Sequence, residues 1–182
     1  MKLFYFFAVM ILSLGFVSCG DDDDPVLGDK SDLIGRYVGD ESVSLTNINK
    51  EVANLVGNVR FERYSQDANR LSVSTEDLGT GILASNFRIS KEDYTFNLAK
   101  IDLIGLKGNE IPSYIKGWFA GDYDSLEKID LKLAATSGKF NRTTNKMEFV
   151  YKGDLVLYPV TNAGSQPAVT HKIEFKYSNL SK

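Results

Sequence analysis

Apolar and polar residues alternate with a period of two along most of the chain from residue 33 onwards. The clearest runs cover residues 43–45, 59–61, 71–73, 87–89, 94–98, 129–133, 147–151 and 173–177. Because successive side chains of a β-strand point to opposite faces of a sheet, this pattern predicts half-buried antiparallel strands. We expect about eight to ten strands between residues 33 and 182.

Polar segments separate the alternating runs, for example at residues 65–69, 141–145 and 162–167. They are rich in Asn, Asp, Ser, Thr and Gly, which favour turns. Many short strands joined by such turns predict an all-β domain. A single antiparallel up-and-down barrel fits best, because a barrel closes its own edges. A β-sandwich is the alternative.

Residues 109–121 break this alternation. Ile111, Ile115 and Trp118 have the i, i+4, i+7 spacing of one helix face. The spacing predicts a short helix near residues 110–118, which would cover one end of the barrel.

The start of the chain has the order of a secretory signal peptide. Lys2 precedes an apolar run, residues 3–14, which is interrupted only by Ser13. A membrane-spanning helix needs about 20 apolar residues. The shorter run therefore predicts a signal peptide over residues 1–18 rather than a membrane-spanning anchor.

The end of this segment reads Phe-Val-Ser-Cys, at residues 16–19, and resembles the bacterial lipobox, with Phe in place of the usual Leu. The resemblance implies cleavage before Cys19 and attachment of a diacylglycerol to its sulfur. The amino group is usually acylated as well, and two or more acyl chains hold a protein firmly on a membrane. An incidental cysteine behind an ordinary signal peptide is the alternative.

Four aspartates, residues 21–24, follow Cys19 closely. A block of like charges repels itself and stays solvated, so residues 19–32 are predicted to be a lipidated cysteine with an acidic, disordered tether. An acidic run at this place resembles the export signal of Bacteroidetes-type surface lipoproteins. It implies an outer-membrane lipoprotein exposed on the cell surface, with the periplasm-facing leaflet as the alternative.

The predicted domain begins with Leu-Ile-Gly-Arg-Tyr, residues 33–37, which resembles the opening of lipocalin-like chains, with Tyr37 where Trp is more usual. Together with the anchor, the length and the strand count, this makes the chain similar to the calycin-like (lipocalin-like) lipoproteins of Bacteroidetes. The resemblance implies one barrel domain over residues 33–182 and does not specify its function.

Composition narrows the chemistry that the domain can perform. The 182 residues include one Cys and one His, and the formal net charge is −3. A single cysteine excludes internal disulfides and thiolate metal clusters, and no basic stripe points to nucleic acid as a partner. The sequence has no phosphate-binding loop and no nucleophile elbow. We therefore predict no cofactor, no metal site and no catalytic residue.

Some residues could carry chemistry, although a structural role is the simpler explanation of each. His171 begins the last strand and is more typical of a structural histidine than of a base or a ligand. Asp122, Asp124 and Glu127 stand near aromatic residues, which suits a glycan site, but a polar loop explains them as well. The acidic pair at residues 76–77 precedes two glycines and is interpreted as a turn without chemistry.

A three-residue segment carries one further resemblance. Asp-Ser-Leu, at residues 124–126, resembles the O-glycosylation site of exported Bacteroidetes proteins. It implies a sugar on Ser125.

We interpret the chain as a membrane-anchored binding module that holds a small apolar or glycan ligand in the mouth of the barrel. Tyr37, Trp118 and Tyr123 are the candidate walls of that site. The alternative is an envelope protein that contacts a partner protein and has no ligand cavity. A hydrolase that uses the acidic loop or the histidine has little support, so the sequence predicts that the protein is not an enzyme.

Overall fold

The computed structural model describes residues 30–182, which form mainly antiparallel β-strands. In chain order the strands are β1 (Gly35–Leu45), β2 (Lys50–Arg63), β3 (Leu71–Thr75), β4 (Gly79–Ile89), β5 (Asp93–Leu98), β6 (Ile101–Leu106), β7 (Ser125–Leu133), β8 (Thr136–Asn141), β9 (Lys146–Thr161), β10 (Gly164–Ser165) and β11 (Val169–Ser181). The helices are α1 (Ser113–Trp118) and two 3-10 helices, Lys30–Leu33 and Gly108–Glu110.

Eight strands form a closed ring. Strands β1, β2, β3, β4, β5, β8, β9 and β11 pair in this order, and β11 pairs with both β9 and β1. Strands β6 and β7 lengthen the wall at one end, because β7 pairs with the second half of β9 and β8 with its first half. The predicted all-β, antiparallel up-and-down barrel is confirmed, as is the short helix near residues 110–118. A sandwich would need two separate sheets, and the ring joins its strands into one.

The predicted alternation places apolar side chains inside the ring. Phe149, Tyr151 and Phe175 are at most 3% exposed. Between them, Lys152 and Glu174 face outwards and form an ion pair of 2.9 Å across β9 and β11. Burying each large apolar side chain contributes about 1.5–3 kcal/mol, so the inward row provides most of the stabilisation of the barrel.

The two ends of the barrel are closed by different elements. At the entry end, where β1 begins, the 3-10 helix Lys30–Leu33 packs against the opening. There the Tyr37 hydroxyl donates to the carbonyl oxygen of Leu33 at 3.0 Å. At the α1 end, the helix lies beside the β1–β2 turn, and Lys50 Nζ donates to the carbonyl oxygen of Trp118 at 3.5 Å.

Aromatic rings fill the barrel near its entry end. The Tyr37 ring meets those of Phe61 and Phe140 edge-on at 5.9 and 6.0 Å, and Phe61 meets Phe96 at 5.5 Å. Edge-to-face contacts at these distances are favourable beyond the burial of the rings. The interior of the barrel near the entry end is therefore occupied by aromatic side chains.

Two glycines permit close contacts in the wall of the barrel. A Cβ atom on Gly153 would lie 1.9 Å from the carbonyl oxygen of Lys132, and one on Gly138 would lie 2.3 Å from the Phe96 ring. Both distances are far shorter than a van der Waals contact. The packing of β9 against β7, and of β8 against the Phe96 ring of β5, thus depends on the absence of a side chain at these positions.

Candidate ligand-binding site

One carboxyl group points into the barrel. The buried residues of β1 are Tyr37, Glu41, Val43 and Leu45, which follow the alternation of the strand. Glu41 is only 2% exposed. Burying a carboxylate is costly unless it is hydrogen-bonded or neutralised. The surroundings of Glu41 therefore decide whether its carboxyl group is protonated or ionised.

Four polar side chains from different elements surround Glu41. Tyr177 of β11 pairs with it in register, Thr75 ends β3, Asp77 lies in the β3–β4 turn, and Tyr114 belongs to α1. The Glu41 carboxyl faces Asp77 and the Tyr177 hydroxyl, and that hydroxyl also faces Thr75. The charges of Glu41 and Asp77 act on the Tyr114 hydroxyl as well. We name this group, Glu41, Thr75, Asp77, Tyr114 and Tyr177, the acid pocket.

Three buried oxygen atoms of the acid pocket have no hydrogen-bond partner among the described residues. They are Oε1 of Glu41 and the hydroxyl oxygens of Tyr114 and Tyr177. Thr75 differs, because its Oγ1 accepts the N–H of Leu78 at 2.9 Å. Most buried polar groups in proteins are paired, and an unpaired one costs about 1–3 kcal/mol. Of the three, the Tyr177 hydroxyl still faces Glu41 and Thr75, so Oε1 of Glu41 and the Tyr114 hydroxyl are the two oxygens that most need an explanation.

The two carboxyl groups hold a proton between them at neutral pH. Burial raises the pKa of Glu41 to about 8, and the neighbouring Asp77 carboxyl adds to the effect. Burial also raises the pKa of Asp77. Glu41 therefore keeps its proton at neutral pH beside the Asp77 carboxyl. The pair then carries one negative charge, located on Asp77.

A cavity of about 360 Å³ adjoins the acid pocket between α1, the β3–β4 turn, β6 and β7. Asp77 and Tyr114 line it on the side of the acid pocket, and Glu76 and Glu110 also border it. The rest of the wall is largely aliphatic and includes Leu78, Leu103, Leu106, Ile115, Ile129 and Leu131. The volume lies in the range of small-molecule sites, and the mixture of an apolar wall with a few polar groups is typical of them.

A row of aromatic rings covers this end of the barrel. The ring centroids of Tyr114 and Trp118 are 5.0 Å apart, those of Trp118 and Phe119 are 6.4 Å apart, and those of Phe119 and Tyr123 are 6.3 Å apart. The His171 ring lies 5.2 Å from that of Phe119. Trp118, the single Trp of the chain, is thus one ring away from the cavity.

The aromatic residues predicted as ligand walls lie in three different places. Tyr37 is fully buried at the entry end, whereas Trp118 packs on Tyr114 beside the cavity. Tyr123 lines a separate groove of about 320 Å³ together with Ser125. Ser125 is exposed at the start of β7, where a sugar on its hydroxyl would meet solvent. The structure brings only Trp118 close to the acid pocket.

The predicted anchor lies outside the described residues. This applies to the signal peptide, residues 1–18, and to Cys19, the predicted lipid attachment point. Residues 30–32, which the sequence analysis assigns to the tether, form the first three residues of the 3-10 helix at the entry end.

The residues considered for acid–base or glycan chemistry do not join the acid pocket. Burial lowers the pKa of His171, although the charge of Asp122 opposes this. Both ring nitrogens of His171 are buried without a partner among the described residues. Asp122, Asp124 and Glu127 are exposed on the loop and the first residues of β7. Their geometry fits a solvated polar loop.

Glu41 does not stand out in the amino-acid sequence, and the pattern around residues 76–77 predicts a turn without chemistry. Glu41 could have been found, because the alternation of β1 extended back from Val43 places it on the inward face. Asp77 is harder to find. Its position beside Glu41 depends on the closure of the ring, which brings the β3–β4 turn close to β1.

A larger depression of the described surface is a different feature. It has a volume of about 980 Å³, lies on the outer face of β4 and β5, and is lined by polar side chains such as Arg70, Arg88 and Asn97. A hydrophilic lining of this kind is typical of the solvent-facing side of a barrel wall.

Metal ligands and membrane helices were also sought within residues 30–182. No group of three or more His, Cys, Asp or Glu side chains in this range is arranged to hold a metal ion. None of the helices in this range has the length and apolar character that crossing a membrane requires.

Comparison with known proteins gives no relative from which a function could be transferred. No protein-family model matches the chain, and neither a curated protein nor a solved structure is significantly similar to it. The functional argument therefore rests on the geometry of the acid pocket and the cavity beside it.

Proposed function

We propose that the protein is a lipid-anchored binding module of the bacterial cell surface that takes a small, mainly apolar molecule into the cavity beside α1. The observation that supports this proposal is the acid pocket. Within a barrel packed with apolar side chains, Oε1 of Glu41 and the Tyr114 hydroxyl are buried without partners among the described residues, and Tyr114 lines an aliphatic cavity of about 360 Å³. Unpaired buried groups are costly, so their retention is best explained by a bound molecule that pairs with them.

The two ends of the barrel suit an anchored receptor. The described chain enters through the 3-10 helix Lys30–Leu33, at the end opposite to α1. Cys19 precedes Lys30 by eleven residues, and such a stretch of chain can reach no farther than roughly 40 Å. A lipid on Cys19 would hold the entry end near the membrane and direct the cavity away from it.

An apolar ligand fits this cavity better than a glycan does. Sugar sites need many hydrogen-bonding groups, whereas six aliphatic side chains form most of this wall. The groove that Tyr123 lines is the better place for a sugar, because Lys116, Asp124 and Ser125 contribute polar atoms there. The proposal therefore names an apolar ligand and assigns it to the cavity beside α1.

Two adjacent residues of β6 provide a matched test. Leu103 lines the cavity, and Ile104, on the opposite face of the strand, is 56% exposed. We expect the neutral probe N-phenyl-1-naphthylamine to bind saturably at one site, with a rise in its fluorescence. Leu103→Phe should weaken binding by about tenfold, because the added ring occupies the cavity, whereas Ile104→Phe should leave it unchanged. Binding that is absent, or equal in both variants, would contradict the proposal.

A second candidate is an envelope component that contacts a partner protein. It is supported by Val38 and Val56, which are 41% and 65% exposed on the outer face of β1 and β2. Exposed apolar side chains on neighbouring strands are a recognised feature of interaction surfaces. Crosslinking in intact cells should then join the wild-type protein to a partner protein, and Val56→Asp should abolish that crosslinked product. The same variant should bind N-phenyl-1-naphthylamine as the wild type does.

A further inference from the structure

We propose that the ligand of the cavity carries a positively charged amine, which Asp77 binds at the acid pocket. This inference rests on the proposed function and names the chemical class of its ligand. It is carried by three features of the described residues: the charges around the cavity, the hydrogen bonds that those charged groups already make, and the buried oxygens that remain free.

The cavity is bordered by groups of one charge. Glu76, Asp77 and Glu110 all line it, and none of the described lining residues is basic. Glu76 and Glu110 are exposed and Asp77 is half-buried, so the three carboxylates together give the mouth of the cavity a negative potential, and water screens the charge of Asp77 least. A ligand with a carboxylate or a phosphate would be repelled, whereas one with a cationic group would be attracted.

Only one of these carboxylates is suited to receive the cation. Glu76 accepts a hydrogen bond from Asn58 Nδ2 at 3.1 Å. Glu110 accepts one from the backbone N–H of Lys107 at 3.1 Å. Asp77 interacts instead with a second acid, Glu41. Among the described residues, no Lys or Arg forms an ion pair with either member of this pair. The negative charge on Asp77 therefore lacks a positive counterpart.

The buried oxygens supply an independent observation. Glu41 is 2% exposed, and its Oε1 has no hydrogen-bond partner among the described residues, although the same carboxyl also faces Tyr177. The hydroxyl of Tyr114, which lines the cavity, is a second unpaired oxygen. An ammonium group has three N–H donors and no acceptor. The acid pocket offers a carboxylate together with free carboxyl and phenol oxygens, which matches such a donor better than a hydroxyl group with its single proton.

The rest of the ligand is apolar and small. Aliphatic side chains such as Leu103, Ile129 and Leu131 form the wall away from Asp77, and a volume of about 360 Å³ suits a hydrocarbon body no larger than a few rings. The chemical class is thus a compact, amphiphilic ammonium compound, with its charged end at Asp77 and its hydrocarbon end against β6 and β7.

Three probes of matched shape test this inference on the intact protein. They are 2-phenylethylamine, 2-phenylethanol and 3-phenylpropionate, which are cationic, neutral and anionic at pH 7. Each competes with bound N-phenyl-1-naphthylamine, whose fluorescence reports occupancy of the cavity. We expect the amine to displace the naphthyl probe at a concentration about tenfold lower than the alcohol, and the carboxylate to be the weakest, because charge-assisted hydrogen bonds are the stronger ones.

Substitutions test whether Asp77 causes the preference for the amine over the alcohol. Asp77→Asn removes the charge but keeps the shape, so the amine should lose most of its advantage while the naphthyl probe still binds. Asp124→Asn removes the same charge from an exposed loop residue outside the cavity. It should change neither the advantage of the amine over the alcohol nor the binding of the naphthyl probe.

The outcomes separate the two proposals. If the naphthyl probe fails to bind the wild type, the proposed function fails and this inference with it. If the probe binds but the amine has no advantage over the alcohol, or keeps its advantage in Asp77→Asn, only the ammonium class is overturned. Should Asp77→Asn fail to fold, the comparison of probes on the wild type decides alone.

Discussion

Glu41 binds its proton more tightly in the folded barrel than in the unfolded chain, because burial raises its pKa to about 8. An unfolded Glu has a pKa of about 4.3. Between these values the folded state holds the extra proton, so stability is highest below the unfolded pKa and falls as the pH rises towards 8. The limiting slope is about 1.4 kcal/mol per pH unit for one proton.

The prediction at this scale concerns Glu41→Gln, which keeps the shape and removes the titration. Denaturant unfolding at pH 5 and pH 8 should show the wild type losing stability over this range. The free energy of unfolding of Glu41→Gln should decrease less over the same pH range. Part of the loss should remain, since burial also raises the pKa of Asp77. Glu127→Gln, at an exposed position, is the control and should follow the wild type. A wild type whose stability is independent of pH over this range would show that Glu41 is not buried as described.

The strands of the wall depend on close contacts that glycine alone permits. At Gly153 a Cβ would lie 1.9 Å from the carbonyl oxygen of Lys132, on the neighbouring strand β7. At Gly117 in α1, by contrast, a Cβ would meet nothing within 4 Å. The same substitution should therefore have opposite effects at the two positions.

We expect Gly153→Ala to destabilise the barrel by several kcal/mol or to prevent folding, because backbone atoms on both strands must move. Gly117→Ala should stabilise the protein slightly, by about 0.5–1 kcal/mol, since Ala favours a helix over Gly. Thermal unfolding monitored by circular dichroism measures both. Equal midpoints for the two variants would contradict the strand packing described above.

The strands and the helix could be predicted from the sequence wherever the apolar residues followed a single regular spacing. The alternation at residues 129–133 and 173–177 predicts inward rows that the structure buries, and the spacing of Ile111, Ile115 and Trp118 predicts α1. The acid pocket could not be predicted from the spacing of residues in the sequence. Its members come from β1, the β3–β4 turn, α1 and β11, and only the closure of the ring brings these elements together.

At the scale of the whole molecule, the barrel of residues 30–182 has two ends of different character, which the proposed function assigns to the anchor and to the ligand. The 3-10 helix Lys30–Leu33 and the packed aromatic rings around Tyr37 occupy the entry end. The cavity and the acid pocket occupy the α1 end. Lipidation of Cys19 would hold the entry end of the barrel near the membrane. The proposed ligand site would then face away from the membrane.

The anchor is tested by Cys19→Ser. The wild type expressed in a bacterium that processes lipoproteins should fractionate with membranes, and external protease should remove it from whole cells. Cys19→Ser should lose both properties, because no acyl chain can be attached to a hydroxyl in the same reaction. Ser125→Ala is the control for membrane fractionation, and its intact mass shows whether Ser125 carries a sugar. Membrane fractionation of Cys19→Ser would overturn the anchor, and full protection from protease would overturn surface exposure.

The location of the ligand is the central claim, and backbone amide NMR during a titration with 2-phenylethylamine tests it most directly. We predict saturable shifts in the β3–β4 turn around residues 76–79, in β6 and in α1, which border the cavity. Residues 30–34 and 142–145, at the entry end, should not move. Shifts confined to the entry end or to the outer groove around Arg70 and Arg88, or no shifts at all, would contradict a binding site beside α1.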